Sequence, residues 1–417
     1  MGNGSRGRPR SPSAEGRGTD RSRPGHRFYQ VNSRAGRILI ALSSLAALLG
    51  VGVPAHGESL APAPIGADRI RADQWHLDYL DVEAAHRISQ GEGVIVAVPD
   101  TGVDPHPDLK ENLLSGTNLL PGAVGDARED PNSHGTAMAG IIGAHGHPDG
   151  VGALGIAPRA RVLPITTSGA DNEGNADRLA GGIEYAVATG ADVISISGGG
   201  ATSSQLSRAL RTARAADVVV VAAAGNRPDD QNVIFPASAE GVIAVGGIDR
   251  SGKLAMIATT GPEIDIVAPA VDIYSTGRGG RYQKSTGTSN STAIVAGAVA
   301  LIRAKYPHLP ANEVVHRLTA TAVDKGPPGR DDQYGYGVID IVAALTADVP
   351  PIGFDSTTSQ APITPPANPR ADSRDGDSAA TMRGLVTLGV IVAAGGAWAF
   401  VARRRRRSDD PPPRISR

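Results

Sequence analysis

One alternation governs what this chain can fold into. Short apolar runs rich in β-branched residues, Val94–Val98, Val162–Ile165, Val193–Ile196 and Val218–Val221, are separated by stretches with helical spacing, His134–Ala144, Ala176–Thr189 and Ser204–Ala215. A strand apolar on both faces must be covered on both, and strands joined through helices run parallel. Two further runs, Val242–Val245 and Ile264–Val267, precede an apolar helix predicted over Ser289–Ala304. At about fifteen residues that helix falls short of the ~20 needed to cross a bilayer and suits the centre of a core. The expected fold is α/β: three layers, with a mainly parallel central sheet flanked by helices. No internal repeat is visible.

The chain extends beyond this body at both ends. Residues 1–55 hold a polar, Arg-rich stretch through Arg37, an apolar run Ile38–Val53 and the small-residue end Val53-Pro54-Ala55, the pattern of an export signal. No adjacent Arg pair precedes the apolar run, which favours the general export route over the twin-arginine one. Residues 56–74 form a short extension and 75–348 the folded domain. Residues 349–383 are rich in Pro and small polar residues and read as an extended tether. Residues 384–402 carry no charge and are followed by five arginines, Arg403–Arg407, that open the tail 403–417. The expectation is a C-terminal transmembrane helix with the basic tail cytoplasmic and the domain extracytoplasmic, a single-pass protein of the cell membrane.

Composition removes several classes of function. With 41 basic and 42 acidic residues the net charge is -1, so no basic excess favours nucleic acid. The chain has no cysteine, which excludes thiol nucleophiles, Cys-ligated metal and disulfides.

Three segments can carry chemistry, each at a strand end or helix start, where open α/β sheets place their sites. A buried strand delivers Asp100 into the turn Asp100-Thr101-Gly102, His134-Gly135-Thr136 opens a small-residue helix, and Gly287-Thr288-Ser289 leads into the central helix. Singly, each is a turn or cap residue. Together they give Asp, His and Ser in an order found in one known class of serine-hydrolase triads and not in the others.

The segment from about Gln74 to Ala344 resembles the subtilase (subtilisin-like) family. Asp100-Thr101-Gly102, His134-Gly135-Thr136 and Gly287-Thr288-Ser289 with Val295-Ala296-Gly297 are similar to its Asp, His and Ser motifs. Ala223-Ala224-Gly225-Asn226 resembles the segment of the oxyanion-hole Asn, and Ser197-Gly198-Gly199 the strand that pairs with substrate. The resemblance implies a serine endopeptidase in which Ser289 attacks, His134 is the general base and Asp100 orients it. Asn226 and the Ser289 N–H would then hold the oxyanion, and Ser197, Gly198 and Gly199 would bind a peptide or protein substrate. Export signal, short extension, tether and single C-terminal helix resemble the mycosins, implying a link to a type VII secretion membrane complex. The alternative expectation is a structural subunit of such a complex, with proteolysis dispensable.

Departures accompany the match. Ala293 stands where the family usually has Pro, Ala270 where it often has Gly, and the polar Asn290 beside Ser289 is expected to alter the substrate rim or slow acylation. The extension 56–74 is too short for a folded inhibitory prosegment. No cofactor or metal is expected. His145 and His147 with Asp149 read as a solvated loop. Asp126, Glu129 and Asp130 leave calcium open without supporting it, and read as a hydrated acidic loop.

Overall fold

The computed structural model describes residues 66–352. The expected signal segment, residues 56–65, the tether from 353, the 384–402 helix and the tail lie outside the described residues. In chain order the elements are α1 (Ala67–Asp73), α2 (Trp75–Tyr79), α3 (Val82–His86), β1 (Ile95–Asp100), β2 (Thr117–Asn118), α4 (His134–Gly143), β3 (Arg161–Thr166), α5 (Ala176–Ala188), β4 (Val193–Ile196), α6 (Ser204–Ala215), β5 (Val219–Ala223), β6 (Val242–Ile248), β7 (Ile266–Pro269), β8 (Ile273–Gly277), β9 (Arg281–Ser285), α7 (Thr288–Lys305), α8 (Ala311–Ala320) and α9 (Ile341–Thr346). The first seven strands form one sheet in the order β2-β3-β1-β4-β5-β6-β7, every pairing parallel. The last two form an antiparallel hairpin.

The pleat explains why these strands need no polar face. Val96 and Val98 of β1, like Val219 and Val221 of β5, belong to the core shared with α4 and α7. Ala97, Val220 and Ala222, the residues between or beside them, belong to the opposite core with Ile183 of α5 and Leu206 of α6. Alternate side chains thus fill two cores, and burying each Val, Leu or Ile contributes about 1.5–3 kcal/mol. The three-layer arrangement with a parallel central sheet is the one the alternation implied. Among the described residues no helix is long and apolar enough to cross a membrane.

Helix α7 runs through the larger core. From Thr288 to Arg303 every residue is buried except Ser289. Small residues let it approach its neighbours: a Cβ on Gly297 would lie 2.6 Å from the Cβ of Ile156. Any side chain there overpacks the contact, at a cost of about 1–3 kcal/mol.

The segment before β1 wraps onto this body. Ile70 of α1 is fully buried with Ala144 and Ala153. Gln74 is buried and satisfied at both ends of its amide: Nε2 donates to the carbonyls of Leu154 (2.9 Å) and Tyr274 (3.2 Å), and Oε1 accepts the Leu154 N–H (2.8 Å). The hairpin β8–β9 packs on α4 through Ser275 and Thr276, whose hydroxyls donate to the carbonyls of Ala137 and Thr136.

Candidate active site

The sheet order turns at β1, which is flanked by β3 on one side and β4 on the other. Such a reversal opens a crevice at the carboxyl ends of the strands, and β1 ends there with Asp100. His134 begins α4 beside it. Its Nδ1 lies 2.8 Å and 3.0 Å from the two Asp100 carboxylate oxygens. An ionised carboxylate only accepts, so the proton sits on Nδ1, and Nε2 has no hydrogen-bond partner among the described residues. The close approach requires Gly135: a Cβ there would lie 2.1 Å from the Gly102 carbonyl oxygen and 3.2 Å from the Asp100 Cβ.

Burial works against a charged His134, but the Asp100 charge, its hydrogen bond and the more distant Asp130 charge outweigh it and hold the imidazole above its ordinary 6.5. The ring keeps 24 % of its surface open, enough for a reacting group to reach it.

Ser289, the half-buried exception in α7, donates its hydroxyl to the Ser197 carbonyl at 2.9 Å and makes no hydrogen bond to His134 in this arrangement. Asn226 is oriented by Thr288, whose N–H donates to Asn226 Oδ1 at 2.9 Å. That bond settles which end of the amide is which and leaves Nδ2 without a hydrogen-bond partner among the described residues. The Asn226 N–H is in turn held by Asp230 Oδ2 at 2.8 Å. Ser197, Gly198 and Gly199 line one cleft with Asp100 and His134, over a floor that includes Leu179 and Ile196.

Other residues singled out in the sequence sit differently from expectation. Asn290 is buried rather than at a rim: its amide donates to the carbonyls of Ala270 and Ser285, both at 3.1 Å, and accepts the Ser285 hydroxyl at 2.9 Å. His147 is no free loop residue, since its Nε2 lies 2.6 Å from an oxygen of Asp108, a fully buried carboxylate. The acidic loop divides: Asp126 pairs with Arg128 at the surface, whereas Asp130 is buried and accepts bonds from Thr101, Asn132, Ser133 and Thr136. Among the described residues no three His, Asp or Glu side chains cluster as a metal site. Thr101 and Asp130 escaped the sequence reading as members of the site. A threonine directly after the strand-end Asp, and a carboxylate three residues ahead of Ser133, the N-cap of α4, were the available signals.

The family profile of the Subtilase family matches residues 91–337. The chain belongs to the subtilase family. It is 38% identical to Subtilisin DY of Bacillus licheniformis over 260 residues, 61% of this chain and 92% of that one. It is 36% identical to a thermostable alkaline protease of Halalkalibacterium halodurans over 267 residues, 64% and 71% of the two chains. Among solved structures it is similar to MycP1 from Mycobacterium smegmatis, with 30% identity, a TM-score of 0.61, and coverage of 70% of this chain and 88% of that one. Within the subtilases it is most like the mycosins, and it is a serine endopeptidase acting on peptide or protein substrates.

Proposed function

We propose that this subtilase is a membrane-anchored, extracytoplasmic endopeptidase working through Asp100, His134 and Ser289. The observation that carries the reading is the Asp100–His134 contact at 2.8 Å, in a cleft whose wall includes Ser197, the residue holding the Ser289 hydroxyl. With Nδ1 protonated and bound to Asp100, Nε2 is the basic nitrogen. It removes the proton of Ser289 as Oγ attacks the scissile carbonyl, and returns it to the leaving amine. Asp100 stabilises the imidazolium between those steps. The developing oxyanion is held by Asn226 Nδ2 and the Ser289 N–H at the start of α7, where the helix dipole also favours negative charge. Water then repeats the sequence on the acyl-enzyme. An extended substrate pairs its backbone with Ser197–Gly199, and its N–H groups compete with Ser289 for the Ser197 carbonyl, so substrate binding itself frees the nucleophile.

The expected organisation completes the proposal: signal 1–55, extension 56–74, peptidase domain 75–348, tether 349–383, membrane helix 384–402 and cytoplasmic tail 403–417. Solved relatives include MycP1 "from the ESX-1 type VII secretion system", which supports a role beside a type VII secretion complex. A serine-directed fluorophosphonate labels the wild type and not Ser289→Ala. Equal labelling of both overturns the triad. Restoration of secretion by Ser289→Ala, together with failure when 384–402 is deleted, assigns the essential role to the structural alternative.

A further inference from the structure

The contact between Asp100 and His134 joins two segments, and both are held by residues that touch neither the imidazole nor a substrate. Asp130 is 4% exposed, yet its carboxylate is fully occupied. Oδ1 accepts the Thr101 hydroxyl (2.8 Å) and the N–H groups of Asn132 (2.9 Å) and Ser133 (2.8 Å). Oδ2 accepts the N–H and hydroxyl of Thr136 at 2.9 Å and 2.7 Å. Thr101, fully buried, accepts the Gly135 N–H on the same hydroxyl at 3.0 Å, while its own N–H donates to Asp100 Oδ1 at 2.7 Å.

The residues on either side of His134 are therefore pinned to one unit, Ser133 N–H to Asp130 and Gly135 N–H to Thr101. That unit continues directly into Asp100. Ser133 has no side-chain cap bond of its own and sits at φ 89°, a left-handed conformation costing a non-glycine residue free energy that its neighbours must offset. Asp130 supplies the missing cap, with its negative charge at the helix N-terminus. A surface turn held by water would leave the ring free to drift by an ångström, and misplacement of that size is enough to cost catalysis heavily.

We infer that Asp130 and Thr101 are positioning residues that set the distance and angle between Asp100 and His134 by clamping the strand-end turn to the start of α4. The inference rests on the proposed triad. Because Thr101 is the bridge, its hydroxyl is the point to test. Thr101→Val keeps shape and removes the bridging oxygen; Thr101→Ser keeps the oxygen.

The experiment measures kcat and KM on a peptide substrate for the full-length protein, with thermal melts to establish folding. Thr101→Val is expected to lower kcat by roughly 10- to 100-fold with KM within twofold, and Thr101→Ser to recover most of the loss. In an Asp100→Asn background the valine is expected to cost less than twofold, since the contact it disturbs is already lost. A kcat within twofold of wild type, equal impairment by Val and Ser, or the same penalty in both backgrounds overturns the inference. Should the valine protein not fold, Thr101→Ala, which places no larger group against Asp130, is read by the same criteria. The two levels fail separately. An Asp100→Asn protein as active as wild type removes the triad itself, whereas a crippled Asp100→Asn beside a silent Thr101→Val removes only the clamp.

Discussion

Two histidine–aspartate pairs in this molecule have nearly the same contact length and opposite surroundings. His134 and Asp100 meet at 2.8 Å, with the remaining imidazole nitrogen free in a cleft. His147 and Asp108 meet at 2.6 Å, but Asp108 is sealed: Tyr282 donates its hydroxyl to Oδ2 at 2.8 Å, Ala153 donates its N–H at 2.6 Å, and His106 lies behind. Beside it Arg71 of α1 donates to the carbonyl of Gly152 and so fastens the wrapped N-terminal segment to the 145–153 loop, which the pair ties to Asp108. Burial pushes the Tyr282 hydroxyl up and the His106 imidazole down, keeping both neutral. A carboxylate beside a histidine is thus not in itself a catalytic signature. The open nitrogen and a hydroxyl one bond from the same cleft wall make the difference.

The largest effect that separates the pairs is on turnover. Ser289→Ala is expected to lower kcat by roughly a million-fold, whereas His147→Ala leaves kcat per folded molecule within about twofold; steady-state assays on purified protein read both. Asn226→Ala should follow with a loss of about 100- to 1,000-fold in kcat and little change in KM. On the other pair the loss appears in stability. Tyr282→Phe leaves a buried carboxylate oxygen one donor short and is expected to cost about 1–3 kcal/mol, seen in denaturant melts, while fluorophosphonate labelling proceeds at the wild-type rate.

Proton linkage sharpens the contrast further. The proposed mechanism needs a neutral His134, so kcat/KM should fall as pH drops through a midpoint above 6.5, and Asp100→Asn should move that limb downward. The stability sign is the reverse. A histidine whose folded pKa is raised stabilises the fold fully below its unfolded pKa, and that contribution is lost as pH rises through the folded value. The pair therefore holds the fold most firmly where the enzyme is least active. His76 marks the third case, a fully buried histidine with neither nitrogen bonded among the described residues. Burial alone lowers it to about 3, so acidification below 6.5 destabilises the fold, by about 2 kcal/mol at pH 5. His76→Phe is expected to flatten the acid side of a stability-versus-pH curve.

Much of the architecture was legible because it depends on short-range patterns. Val193–Ile196 and Ser204–Ala215 have the ends their periodicity implies, and the apolar run read as Ile264–Val267 enters the ladder two residues later, at Ile266. The hairpin β8–β9 was not legible. Arg281–Ser285 has no apolar alternation and is a strand because its partner strand is fastened to α4 by Ser275 and Thr276. Helix α1 likewise depends on contacts some eighty residues away, those of Arg71 and Gln74.

The sequence by itself determined a parallel sheet with Asp100, His134 and Ser289 each at the end or start of an element, since side-chain alternation and helix spacing act over a few residues. Only the tertiary structure decided that Asp100 faces a cleft while Asp108 is sealed, that Asp130 is buried rather than hydrated, and that the Ser289 hydroxyl rests on Ser197. Those outcomes turn on which distant segments exclude water from a given polar group and offer it a partner instead, and desolvation of that kind has no signature in local spacing.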